Sequence, residues 1–272
     1  MAHTKPPLID VILTIRPKPP RLKNVLESLN SQSHSEWRLI ALLDRDDGSN
    51  RLLIKQVVRD HPKILVECDF LRESFPAMLN KGLAKSSATY VARQDDDDVS
   101  ESDRFQSQLL LLQTNLQAQI VTGAASVIDE DGKPLCDITQ PESSSEFCRL
   151  MLFENVIPHS SVMFRRTAVL GAGGYDELMR GCEDYDLWLR MLTLQSTRSV
   201  NTKVVEVLKH AGGISRQRIQ IGVMRRLNSR RLEACRRLGM PTYVGLMGSV
   251  VWSCKQLAPE WIRRIAAWKK QT

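Results

Sequence analysis

Residues 89–98 read TYVARQDDDD, a short apolar strand that runs into four consecutive aspartates without an intervening glycine or proline. What surrounds this stretch sets the fold. Before it, Phe75 to Ala84 carry apolar residues at helical spacing, and Ile64 to Val66 begin a strand. Further back, Leu52 to Val58 look helical, and Leu39 to Leu43 form a strand that enters the polar loop Asp44-Arg45-Asp46-Asp47-Gly48-Ser49. Leu22, Val25, Leu26 and Leu29 make another helical stripe behind a turn rich in proline. The series begins at residues 9–15, IDVILTI, an apolar run of strand length suited to burial on both faces. Strand and helix alternate throughout, so the expected fold class is α/β with a doubly wound, mostly parallel central sheet. Ligands of such sheets gather beyond the carboxyl ends of the strands, where Asp44 and the run from Asp95 to Asp98 both fall.

Four adjacent carboxylates repel one another strongly unless a cation is shared among them. Oxygen-only ligands suit Mg²⁺ or Mn²⁺, bound through one or two carboxylates with substrate phosphates completing the shell. At a strand end Asp95 and Asp97 point to one side and Asp96 to the other. The D-x-D pair Asp95 and Asp97 is therefore the candidate metal site, with Asp96 and Asp98 toward the nucleotide or behind the ligands. The same run also suits a solvated acidic loop capping a helix that starts near Ser100.

A second acidic group, Glu183-Asp184, precedes an amphipathic helix marked by Tyr185, Leu187, Trp188, Met191 and Leu192. Acids in a first turn are stabilised by the helix dipole and its exposed amides. A carboxylate there is equally suited to take a proton from an attacking hydroxyl. Asp184 is the candidate general base, with Glu183 beside it. Trp188, one turn on, fits either the core or the face of a bound sugar. The rest of the second half predicts strands at Ile120 to Ile128, Ser161 to Phe164 and Val204 to Leu208, a helix at Phe147 to Phe153, and a loop around Gly171, Gly173 and Gly174.

Charge divides the chain. Of its 38 Lys/Arg and 31 Asp/Glu, residues 223–272 hold 11 and two, an excess of nine positive charges, whereas the remainder is slightly acidic. The basic character belongs to a tail, so nucleic acid is not an expected partner. The expected boundary separates a catalytic domain, 1–222, from a basic amphipathic helical tail, 223–272. In that tail Arg225, Arg226, Arg230, Arg231, Arg236 and Arg237 alternate with apolar residues, and Trp261, Ile262, Ile265 and Trp268 share one face. Tryptophan flanked by cations suits a helix lying in a membrane interface, or one packed on the protein. The apolar run from Tyr243 to Trp252 is shorter than the roughly 20 residues a bilayer requires. Six dispersed cysteines without metal-ligand spacing, and an N-terminus without an apolar core, predict a cytoplasmic protein, peripheral on the inner face of the membrane.

The segments LAKSSATYVARQDDDD, NVIPHSSVMFRR, GGYDE and CEDYDLWLRM, in this order and separation, resemble those of family 2 glycosyltransferases. The resemblance spans roughly residues 8–215. It implies a GT-A fold with a C-terminal helical extension, a divalent metal cofactor (Mg²⁺ or Mn²⁺), a nucleoside-diphosphate sugar donor, a saccharide or glycolipid acceptor, and inversion at the anomeric carbon. Asp44 then resembles the aspartate that contacts the nucleoside, Asp95 and Asp97 match the D-x-D pair, and Asp184 matches the catalytic aspartate. Asn80 and Lys81 match a polar pair before the D-x-D strand, and His159 an acceptor-side histidine. His210 matches a late histidine near the diphosphate and the metal. Two segments depart from the pattern: Thr14-Ile15-Arg16-Pro17 replaces the usual turn after the first strand, and the loop after the second strand is longer. Asp46 or Asp47 is therefore an alternative to Asp44. One alternative is a nucleotidyltransferase of related fold, which would use similar carboxylates without requiring Glu183-Asp184. Another is a non-catalytic binding or scaffold protein whose basic tail grips RNA or an acidic partner.

Overall fold

The computed structural model describes residues 8–44, 48–57, 64–68, 74–141, 143–209 and 219–257. The first half alternates as expected: β1 (Ile9–Ile15), α1 (Leu22–Asn30), β2 (Trp37–Leu43), α2 (Ser49–Val57), β3 (Ile64–Cys68), α3 (Phe75–Lys85) and β4 (Tyr90–Asp95). Strands β1, β2, β3 and β4 are parallel in the order β3-β2-β1-β4. Their register is nearly flush. Ile9 lies opposite both Trp37 and Tyr90, Ile15 opposite Leu43, and Thr14 opposite Asp95. Arg16, Asp44 and Asp95 consequently emerge along one edge.

Every β1 residue is buried, as a strand covered on both faces requires. Ile9, Val11, Leu13 and Ile15 face the layer containing α1, α2 and α4 (Arg104–Thr114). Ile12 faces the opposite layer with α3. Between the start of β1 and its neighbours, buried Asp10 accepts hydrogen bonds from Arg38 Nε (2.8 Å) and Nη2 (2.9 Å), Ser86 Oγ (2.8 Å), and the Ser87 and Ala88 amides. One carboxylate thereby fixes β2 and the turn leading into β4 against β1.

The second half continues the same sheet in mixed sense through β5 (Val99–Ser100), β6 (Ile120–Ile128), β7 (Pro134–Ile138), β8 (Met163–Arg165) and β9 (Thr197–Leu208). Beyond β4 the order is β8-β6-β9-β5, with β7 paired to β6. Strand β8 runs antiparallel to β4, and β9 parallel to β6. Sequence spacing found β6 but only the later end of β9, since Arg198 to Lys203 are half-buried or exposed and carry no apolar period. The expected strand over Ser161 to Phe164 is split between a 3-10 turn at His159–Ser161 and β8. The expected loop at Gly171 begins within α6 (Arg166–Gly171).

Helices α5 (Ser144–Met151) and α7 (Glu183–Met191) stand on the same face of the sheet as α3. The basic segment supplies α8 (Ile221–Arg237) and α9 (Thr242–Leu257). Val223, Leu227, Cys235 and Trp252 share one hydrophobic cluster with Trp188, Leu187 and Ile12. Not all the arginines alternating along α8 lie on a solvated face. Arg231 is buried, with its guanidinium carbon 4.9 Å from the Tyr185 ring centre and 4.3 Å from that of Trp252. Arg230 donates to Asp186, and Arg237 to the Leu189 carbonyl. The tail arginines thus fasten α8 to the helix bearing Glu183 and Asp184. Trp261, Ile262, Ile265 and Trp268 lie outside the described residues.

Asp10→Ala should cost about 3 kcal/mol, because it leaves Arg38 and two backbone amides without their acceptor. Calorimetry should find the melting temperature lowered by roughly 5–10 °C. An unchanged transition would show that Asp10 does not organise the sheet.

Candidate active site

The four aspartates do not act alike. Asp95, the last residue of β4, accepts from Arg93 Nη2 at 2.5 Å. Arg93 is itself buried inside β4 and also donates to the Ile12 carbonyl and to Thr14 Oγ1. Asp96 turns to the end of β1, where its Oδ2 accepts from the Arg16 amide (2.7 Å) and its Oδ1 from Arg16 Nε (2.9 Å). The same guanidinium reaches Asp97 through Nη2. Asp98 turns inward, accepting from Ser160 Oγ and from the Leu208 amide at 3.0 Å. Burial, reinforced by Asp95 and Asp97, holds the Asp98 carboxyl well above the usual carboxylate range. Behind it, buried Arg104 donates to the Gln94 and Ser100 side chains and to the Arg93 and Val162 carbonyls. The alternation predicted for a strand end fails at Asp97. Arg16 Nη2 contacts both Asp96 Oδ1 (2.8 Å) and Asp97, so these two carboxylates converge on one guanidinium, while Asp95 has a separate counter-charge in Arg93.

Asp184 sits in the first turn of α7, half-buried. Its Oδ1 accepts from the Tyr185 amide at 2.7 Å, and its Oδ2 from Asn155 Nδ2 at 2.8 Å. Burial pushes its pKa up to about 6, against these two hydrogen bonds, and Asp95 adds to the rise. Glu183 is more deeply buried and accepts from the Gly181 amide at 2.7 Å. Burial and the Asp184 charge push it up to about 7. The charge of Asp95 also acts on Glu183, His159 and Asp98, so these groups share one electrostatic neighbourhood. Asp184 is an acid of the first turn of its helix and also shares this electrostatic neighbourhood.

The other sequence candidates distribute differently. Asp44 follows β2, and its amide donates to the Ile15 carbonyl at 2.8 Å, so it sits at the site edge. His159 is enclosed by aromatic rings, with Phe75, Tyr175 and Trp188 centroids 5.7–6.4 Å away and its Nε2 hydrogen-bonded to the Tyr175 hydroxyl at 3.0 Å. Burial and the nearby Arg93 push its pKa down to about 3, so the ring is neutral. Trp188 is only 1% exposed, which corrects the sugar-stacking expectation. Its ring packs against His159 and Phe164 and has no open face. Asn80 also serves a turn: its Oδ1 accepts from the Tyr175 amide and its Nδ2 donates to the Tyr175 carbonyl, both at 2.8 Å. Gly174, at φ +70°, makes that pairing possible, since a Cβ there would approach Asn80 Oδ1 to 2.8 Å. Asn80 and Lys81 together line a cavity of about 560 Å³ with Ser74, Glu177 and Arg180. Asp46, Asp47 and His210 lie outside the described residues.

Arg16, Arg93 and Asn155 were not among the sequence candidates. Arg16 lies in the turn that departs from the family pattern, Arg93 is a cation within an apolar strand, and Asn155 opens the NVIPHSS segment. Among the described residues no three His, Cys, Asp or Glu side chains converge on a metal position. The described residues therefore form no closed cage. Two carboxylates at a strand end nevertheless fit a hard cation that completes its shell with phosphate and water.

The family model described as Glycosyltransferase like family 2 matches residues 29–219. This chain belongs to that family. The glycosyltransferase is similar to EpsE of Bacillus subtilis (27% identical over 247 residues, 86% of this chain and 84% of that protein). It is also similar to the amylovoran biosynthesis glycosyltransferase AmsE of Erwinia amylovora (28% over 179 residues, 65% and 66%). Among solved structures, the fold matches Staphylococcus aureus TarS in complex with UDP-GlcNAc, with a TM-score of 0.71 at 11% identity, over 90% of this chain and 71% of that one. It also matches a mannosyltransferase of Pyrobaculum calidifontis in complex with GDP-Man and Mn²⁺ (TM-score 0.60, 14% identity, 98% and 80%). The fold is thus GT-A, and the enzyme is a glycosyltransferase, which sets aside the nucleotidyltransferase and scaffold readings.

Replacing Asn155 by alanine removes a hydrogen bond that favours the ionised form of Asp184. If deprotonated Asp184 supports turnover, activity rises with pH through about 6. In Asn155→Ala that limb should move upward by about half to one pH unit. A limb that stays in place in the kcat/KM profile would detach Asn155 from the titration.

Proposed function

We propose that this glycosyltransferase moves a sugar from a nucleoside-diphosphate donor to a hydroxyl of a saccharide or glycolipid acceptor, with inversion at the anomeric carbon. The observation that carries this reading is Asp184: a carboxylate with its pKa pushed up to about 6, oriented by Asn155 and the Tyr185 amide, in the electrostatic neighbourhood of Asp95. The acceptor oxygen attacks the anomeric carbon as the bond to the diphosphate breaks. The hydroxyl proton passes to Asp184, and the bonding pair leaves with the nucleoside diphosphate. A base with a pKa near the working pH is ionised yet still basic enough to accept that proton. Glu183, bound to the Gly181 amide and more deeply buried, holds the turn before α7 and keeps a second carboxylate behind the base.

Mg²⁺ or Mn²⁺ would be held by Asp95 and Asp97 together with the donor diphosphate, and would neutralise charge on the leaving group. Arg93 pairs with Asp95 and Arg16 with Asp97, and Asp44, which follows β2 beside the end of β1, would meet the nucleoside. The Mn²⁺ and GDP-Man of the Pyrobaculum calidifontis mannosyltransferase support this reading. The names of AmsE and of the O-antigen biosynthesis glycosyltransferase WbnJ of Escherichia coli support an acceptor in polysaccharide or lipopolysaccharide assembly.

Two substitutions separate the roles. Asp184→Asn should reduce kcat by about 10²–10⁴-fold while leaving donor affinity nearly unchanged, since a general base acts in the transition state. Normal turnover combined with early melting would reduce Asp184 to a helix cap. Asp97→Asn should abolish the dependence of donor affinity on Mn²⁺, as read by calorimetric titration with and without the ion. Retention of that dependence would remove Asp97 from the metal site.

A further inference from the structure

Helix α9 presents a continuous apolar face to solvent. Tyr243, Leu246, Met247, Val250, Val251 and Leu257 recur at helical spacing and are between 39% and 68% exposed. Single exposed apolar side chains are ordinary, but a contiguous row marks an interaction surface. The helix cannot rotate to hide it, because its other face is fixed. A Cβ added at Gly248 would lie 2.1 Å from the Leu152 carbonyl oxygen. Trp252 is packed between the Tyr185 ring, 6.4 Å away, and the Arg231 guanidinium. The outward direction of the row is therefore set by the same packing that seats α9 against the helix bearing Asp184.

We propose that this face docks on the surface of an anionic lipid bilayer, with α9 lying in the interface. Charge selects the occupant. Arg225, Arg226 and Arg236 on the preceding helix are exposed, whereas Arg230 and Arg231 are taken up by packing against Asp186 and the Tyr185 and Trp252 rings. In a symmetric dimer the same surface meets itself, so the exposed arginines would face their own copies. An anionic bilayer offers the opposite sign, and each basic residue near it contributes on the order of 1 kcal/mol. Among the described residues no helix is long and apolar enough to cross a membrane. An interfacial helix instead buries its apolar face about 5–10 Å deep. The sequence alone pointed to Trp261 and Trp268 as the lipid face; the structure adds a second one at α9. This inference stands apart from the chemistry proposed for Asp184.

The test uses the full chain. It should co-sediment with vesicles containing phosphatidylglycerol and not with vesicles of phosphatidylcholine alone. The double variant Leu246→Glu/Val250→Glu changes only exposed positions, so its melting temperature should match that of the parent while its vesicle partition falls roughly tenfold or more. Cys254 is exposed between Val251 and Leu257, and gives a local reporter. In a Cys68→Ser/Cys136→Ser background, a polarity-sensitive dye on Cys254 should brighten and shift to the blue on adding anionic vesicles. The proposal is overturned by a parent chain that stays in the supernatant, by a variant that partitions like the parent, or by a dye that does not respond. It is equally overturned if light scattering finds a dimer that the double variant disperses, since a second copy then covers the face.

Discussion

Four carboxylates in succession at the end of a buried strand must each be given an opposite charge or a set of donors, and much of the molecule is arranged around that demand. Arg93 answers Asp95 from within the same strand. Arg16 answers Asp96 and Asp97 from the neighbouring strand, which is possible only because β1 and β4 end nearly flush. Asp98 faces Ser160 and the Leu208 amide, with Arg104 buried behind it. These counter-charges draw Asp96 and Asp97 to one guanidinium and give Asp95 a separate one. Among the described residues no closed cage forms, and carboxylates at a strand end suit a hard cation shared with phosphate better than one enclosed by protein.

The first half of the fold was legible in the sequence because its period is simple. IDVILTI and YVARQ are buried on both faces, and the helices between them repeat at helical spacing. The acidic run and Glu183-Asp184 were legible as chemistry, since both interrupt apolar patterns at element ends. Arg16, Asn155 and Asn80 were not. Their roles depend on partners 80, 29 and 95 positions away, and no local pattern encodes such distances. Trp188 was ambiguous for a related reason: apolar spacing on a helix does not reveal which ring faces are open. Strand β9 was read too short because much of it is only partly buried, and α6 because its Arg-Thr-Ala-Val-Leu-Gly sequence is shorter than the window in which helical period becomes visible.

The C-terminal helices change how composition is read. The arginine-rich tail suited either a membrane interface or packing on the protein, and part of it packs: Arg231 lies against two aromatic rings and Arg230 joins the buried Asp186. Guanidinium suits both tasks, being planar enough to stack and rich enough in donors to satisfy a buried carboxylate. The remaining exposed arginines gain their meaning from α9, whose apolar row they accompany.

Asp98 has a consequence for how the molecule comes apart. Its carboxylate binds the turn at His159–Ser161 and the end of β9, while its backbone continues β4 and its carbonyl accepts from Gln94. The parallel and mixed portions of the sheet are thus joined at one buried point as well as along the β4–β8 edge. Neither portion can loosen without exposing a carboxyl group and its donors to an incomplete shell. Asp98 therefore couples the opening of one portion to that of the other, despite the change of strand direction midway through the sheet.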